Sequence, residues 1–169
     1  MKKMIVKIIA LVATMIMVFM SAGCKTVVTP AVNFGFKTVD GASAYDESIT
    51  GFEVGKKFYS CITVKLVTNK KAIKDYQVVV EIPKTKEVEV KGMGGLEPDS
   101  IDWDEENELT RMTFTMQGNK EAVDEKILFY GTPTDDGEAK MSVHIFDKDG
   151  VEVNTGYSRT IFFDYVLQE

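Results

Sequence analysis

The chain has 169 residues, 20 of them basic and 26 acidic, for a formal charge of -6, with 44% aliphatic or aromatic and 27% charged side chains. That balance belongs to a folded domain, not to a disordered tail or a multi-span membrane protein, and its acidity argues against nucleic acid as a partner. The totals conceal a split: the first 23 residues hold three Lys, five of the nine Met and no acid, while residues 24–169 hold 17 basic and 26 acidic side chains, a charge of -9.

Lys2, Lys3 and Lys7 make a positive start, and Ile8 to Met20 follow as thirteen residues that are apolar apart from Thr14. A helix of that length spans about 20 Å, short of the ~30 Å hydrocarbon core, so the segment reads as a signal-peptide h-region. Met20-Ser21-Ala22-Gly23-Cys24 then resembles the lipobox of bacterial lipoproteins. The resemblance implies cleavage before Cys24, acylation of its thiol, and an extracytoplasmic chain anchored to the cell membrane. Ser21 stands where that family most often has Leu, and Ser21 with Gly23 also suits ordinary signal peptidase, so soluble secretion and an uncleaved anchor stay open beside lipidation. The expected division is a signal peptide at 1–23, the lipidated Cys and a short tether at 24–32, and one domain at 33–169. Eight tether residues from Lys25 reach at most about 26 Å, which keeps the domain near the bilayer. Anionic headgroups repel an acidic body, so acyl chains and not a basic patch are expected to supply the membrane contact.

From Phe34 onward apolar residues recur at period two, with no 3.6-residue stripe. Phe58 to Leu66 reads as a half-buried strand, with Phe58, Ile62, Val64 and Leu66 on one face and Tyr59, Thr63 and Lys65 on the other. Asn69-Lys70-Lys71 breaks it, Tyr76 to Ile82 gives a second strand ended by Pro83, and Val88 with Val90 marks a short edge strand. Gly92, Gly94 and Gly95 open a loop into Ile101 and Trp103, and Asp104-Glu105-Glu106-Asn107 turns back into Leu109 to Met116. Ile127 to Tyr130 has the density of a central strand, and Met141 to Phe146 alternates. Asp147-Lys148-Asp149-Gly150 is a hairpin turn, and Arg159 to Val166 closes the sheet. The expectation is an all-β antiparallel sandwich of seven to nine strands with no internal boundary.

Phe52-Glu53-Val54-Gly55-Lys56, the Phe58 strand, Asn69 and the run Tyr76 to Pro83 resemble the opening strands of Ig-like modules in bacterial surface proteins. The resemblance covers about a third of the mature chain and implies the fold together with a role in adhesion, assembly or binding. The Cys and Trp spacing of antibody domains is absent.

Chemistry is scarce. His144 is the single His and shares a strand face with Ser142 and Phe146, which reads as an ordinary hydrogen-bonded or solvated side chain. Cys61, beside Tyr59 and Thr63, reads as a free packed thiol; pairing with Cys24 is the alternative, and acylation of Cys24 forbids it. Seven carboxylates lie between Glu97 and Glu108, but Asn107 and Thr113 occupy the positions where an EF-hand needs Gly and Glu. A solvated acidic loop is the first reading, with a weak cation site or a docking patch for a basic partner beside it. Trp103 shares its face with Ile101 while Asp102 and Asp104 take the other, so burial in the core is favoured over a sugar-stacking platform. Nucleotide, protease and hydrolase motifs are all missing, and no cofactor, metal or enzymatic activity is expected. The function expected is a non-catalytic protein-binding or assembly module, with carbohydrate binding or protease inhibition as alternatives. The partner is another protein or a cell-wall polysaccharide. Candidate contacts are Trp103, Asp102, Asp104, Glu105 and Glu106.

Overall fold

The computed structural model describes residues 28–38, 44–68, 74–90, 93–118 and 122–165. The leader, Cys24, the Asn69-Lys70-Lys71 break, Gly92 and Val166 lie outside them. No helix among the described residues is long and apolar enough to cross a membrane.

The strands are β1 (Val28–Thr38), β2 (Gly51–Glu53), β3 (Phe58–Thr68), β4 (Tyr76–Pro83), β5 (Glu87–Glu89), β6 (Ser100–Asp104), β7 (Leu109–Met116), β8 (Ala122–Thr132), β9 (Gly137–Phe146) and β10 (Glu152–Asp164). They form a four-stranded sheet in the order β1-β3-β8-β5 and a six-stranded sheet in the order β2-β10-β9-β4-β7-β6. All neighbours are antiparallel except β2 and β10. The protein is therefore an all-β, Ig-like sandwich, with eight strands of five or more residues and two of three.

Period-two alternation builds each layer. Phe58, Ile62, Val64 and Leu66 of β3, Tyr76, Val78, Val80 and Ile82 of β4, and Met141, Val143 and Ile145 of β9 are all buried. Their neighbours in sequence face outward and are mostly part-exposed or exposed, Val79 of β4 being the buried exception. Toward the end of the core where β3 starts, the Phe58 ring lies 4.7 Å from that of Phe52, 5.9 Å from Phe163 and 6.4 Å from Phe129, which joins both sheets through aromatic contact.

The described residues form ten strands where seven to nine are expected, and β1, β8, β9 and β10 all begin earlier than the sequence reading places them. β1 begins at Val28, so residues 28–32 of the expected tether are already paired with β3. Pro30 masks this strand in the sequence, yet Pro is tolerated where its missing donor faces away from the ladder, as on an edge. β10 begins at Glu152, earlier than Arg159, because register shifts around Asn154 interrupt its alternation.

The register also fixes the two ends. The start of β1 lies level with the end of β3, and β4 starts where β7 and β9 finish. At this end the Asp147 carboxylate caps the β9–β10 turn through the amides of Asp149 and Val151, and Gly150 takes a φ of 75° that a Cβ would resist. The opposite end carries the start of β3, the end of β4, and the β6–β7 and β8–β9 connections.

Candidate functional site

His144 and Cys61, the pair that a nucleophilic mechanism would need, sit on the outer faces of different sheets. His144 Nδ1 lies 2.7 Å from Glu152 Oε1, and Nε2 lies 3.2 Å from Ser142 Oγ and 3.6 Å from Glu81 Oε2. Glu81 in turn accepts from Arg111 Nε at 3.0 Å and Nη2 at 2.9 Å. The chain of contacts links β7, β4, β9 and β10 across the outer face of the six-stranded sheet. His144 is thus hydrogen-bonded as expected, and its role is to tie strands together. The link to Glu81 and on to Arg111 was not visible in the sequence, because only the register Glu81↔Arg111 and Glu81↔Ser142 brings them side by side, whereas Glu152 comes to His144 across the β9–β10 hairpin.

Cys61 is a free, half-buried thiol flanked in register by Gly35 and Leu128, with Tyr45 packed over Gly35. Burial pushes the thiol above its ordinary range, so it stays protonated and weakly nucleophilic. We expect iodoacetamide at pH 7 to leave Cys61 of the native protein largely unlabelled and to label it rapidly in urea, as read by peptide mass. Comparable labelling in both states would show an activated thiol.

On the same outer face Tyr59 and Tyr130 lie 5.6 Å apart, with Lys37 over Tyr59 and Tyr45, and Lys57 over Tyr130. Sequence reasoning missed this row, which forms only when Lys37, Tyr59 and Tyr130 align across β1, β3 and β8. The lysines occupy ring faces that a sugar would need for stacking.

The acidic stretch folds as expected into a hairpin. Asp104 Oδ1 accepts from the amides of Glu106 and Asn107, each at 3.1 Å, and Oδ2 accepts from Asn107 Nδ2 at 2.9 Å. The hydrogen bonds from Asn107 hold the Asp104 carboxyl below the usual carboxylate range. Asp104 is therefore engaged by the turn itself, whereas Asp102, Glu105 and Glu106 are exposed. Lys86 Nζ lies 3.8 Å from Glu105. Among the described residues no group of three or more His, Cys, Asp or Glu is arranged to hold a metal.

Trp103 corrects the expectation of core burial. It does share a face with Ile101, and that face points inward, since Trp103 pairs with Thr110 and Ile101 with Met112, both fully buried. Along the row Val80, Met112, Ile101, however, exposure goes from 0% and 0% to 42%. Trp103 is likewise only half-buried, with Lys86 Nζ 5.5 Å from its ring centroid. The physical reason is width: the four-stranded sheet is two strands narrower than its partner, and its far edge is the three-residue β5, so β6 projects past the layer that should cover it. Alternation reports which side of a sheet a residue faces, not whether anything lies there. Trp103, Asp102, Asp104, Glu105 and Glu106 are thereby brought together on one overhanging edge hairpin, next to Ile101 and Lys86.

No protein-family model matches the chain, and no curated protein sequence matches it. Among solved structures, it is similar to a CARDB domain from Pyrococcus furiosus (16% identity, TM-score 0.43, covering 80% of this chain and 89% of that one). It is also similar to a cohesin module of a family 33 glycoside hydrolase from Clostridium perfringens (12%, 0.45, 80% and 98%). A third is the C-terminal domain of the BspA polypeptide of Streptococcus agalactiae (13%, 0.44, 80% and 50%).

Proposed function

We propose that this chain is an extracytoplasmic lipoprotein whose sandwich is a non-catalytic protein-binding module. Acyl chains on Cys24 moor it to the membrane, and the β6 hairpin is its contact surface. The single observation that carries the reading is the incompletely covered inner face of β6, where Ile101 is 42% exposed and Trp103 part-exposed beside exposed carboxylates. Paired apolar side chains at the rim of a domain have surface to bury only against something else. With β1 starting at Val28, three residues separate Cys24 from the sheet, a reach of about 10 Å. That mooring turns the β1-start end toward the bilayer and the β6–β7 turn away from it, which also keeps the acidic hairpin clear of anionic headgroups.

The test is photo-crosslinking in intact cells from an amino acid placed at Ile101, Glu105 or Lys65, the last on the outer face of the other sheet, together with the mass of the mature protein. One discrete protein adduct is expected from positions 101 and 105, none from 65, and loss of the adduct in Trp103→Ala, on a chain that starts at an acylated Cys24. Equal adducts from all three positions would refute the contact surface, and an unmodified Cys24 would refute the mooring.

A further inference from the structure

Four strands end the two sheets, and three of them are closed to further pairing. β2 and β5 are three residues long. β1 contains Pro30, whose carbonyl accepts from the Tyr157 hydroxyl, and its Phe36 exchanges backbone hydrogen bonds of 3.0 and 2.8 Å with Asp46. β6 is the exception. It has five residues, no Pro and an unshifted register with β7, and among the described residues no strand pairs with its other side.

We propose that β6 accepts an added strand from a partner protein, an extended segment in which apolar residues alternate with Lys or Arg. The proposal deepens the reading of β6 as the contact surface and rests on it. The pleat sets the chemistry. Inward positions of the incoming strand come to lie beside Ile101, 42% exposed, and the part-exposed Trp103, whose remaining apolar area they would cover. Outward positions come to lie beside Asp102 and Asp104. Asp102 has no hydrogen-bond or ion-pair partner among the described residues, because Arg111, its neighbour in register, is held by Glu81 through two bonds. A cation from the partner meets this carboxylate as a cross-strand pair. A second copy of this chain is the wrong occupant: two β6 strands laid edge to edge set aspartates against aspartates, which cross-strand pairing penalises. Main-chain hydrogen bonds would supply affinity, and the alternation selects the sequence.

Trp103 is the only Trp, so its emission reports directly on this edge. The full-length protein is titrated with three capped peptides: alternating Val and Lys, alternating Val and Glu, and a block of Val followed by a block of Lys. We expect a saturable shift of Trp103 emission with the alternating Val–Lys peptide alone. Asp102→Lys should weaken that binding about fivefold or more and transfer the preference to the Val–Glu peptide. Amides of an extended peptide point alternately to its two edges, so N-methylation of either all Val or all Lys residues should abolish binding while the other set is tolerated. Binding that survives both methylations, equal binding of the block peptide, or a β6-dependent homodimer in sedimentation would overturn strand addition. Failure of all three peptides while the adducts at positions 101 and 105 persist would overturn strand addition and leave the contact surface standing.

Discussion

Phe58→Ala is expected to cost about 3–5 kcal/mol and to lower Tm by about 10–20 °C, much of the stability that a domain of this size possesses. The ring is 1% exposed and meets Phe52 of β2, Phe129 of β8 and Phe163 of β10, so its removal empties the junction of the two sheets and leaves a void that rigid strands cannot close. Urea and thermal unfolding measure the loss. Tyr165→Ala, at a ring 61% exposed, is the control and should stay within about 0.5 kcal/mol of the parent. A loss below 1 kcal/mol at Phe58 would mean that the aromatic cluster is not what joins the layers.

Gly95→Ala is the second large effect, about 1–3 kcal/mol, and it comes from backbone proximity. A Cβ at Gly95 would sit 2.4 Å from the Lys126 carbonyl oxygen and 3.2 Å from the Leu128 nitrogen, both main-chain atoms that cannot swing aside. The segment must lift off the edge of β8, and the 2.8 Å hydrogen bond from the Leu96 amide to the Lys126 carbonyl goes with it. Because this segment feeds β6, Trp103 emission should shift to the red in the same variant. Gly94→Ala separates the causes: its φ of 83° strains a Cβ, but nothing lies within 4 Å of it, so it should cost about 1 kcal/mol and leave the emission unchanged. A stable Gly95→Ala protein with unaltered emission would disprove the close approach.

The sheet layers were legible in the sequence because alternation is a local property. The inward faces of β3, β4, β7 and β9 follow directly from Phe58 to Leu66, Tyr76 to Ile82, Met112 to Met116 and Met141 to Ile145. What depends on strand order was not legible. The Glu81–Arg111–His144 contacts need β7, β4 and β9 to be neighbours, and those strands are far apart in the sequence; only the His144–Glu152 pair is local, across the β9–β10 hairpin. The exposure of Trp103 needs the difference in width between the sheets, which no single strand encodes. The acidic turn was legible as a turn, since Asp and Asn at its corner cap backbone amides, but not that Asp104 is engaged there and Asp102 is not. Of the proposed contact surface, the residues were readable and their assembly on an overhanging edge was not.

The register of β1 has a mechanical consequence. Its eleven residue pairs with β3 run from Val28↔Thr68 at one end of the sandwich to Thr38↔Phe58 at the other. A pull entering at Val28 and resisted at the β6–β7 turn acts along the strands, at right angles to the ladder's hydrogen bonds, so it is shared among all the rungs instead of parting them one after another. If Cys24 is moored and β6 holds a partner as proposed, traction between them would meet shear and not peeling, the direction in which a ladder of this length yields least readily.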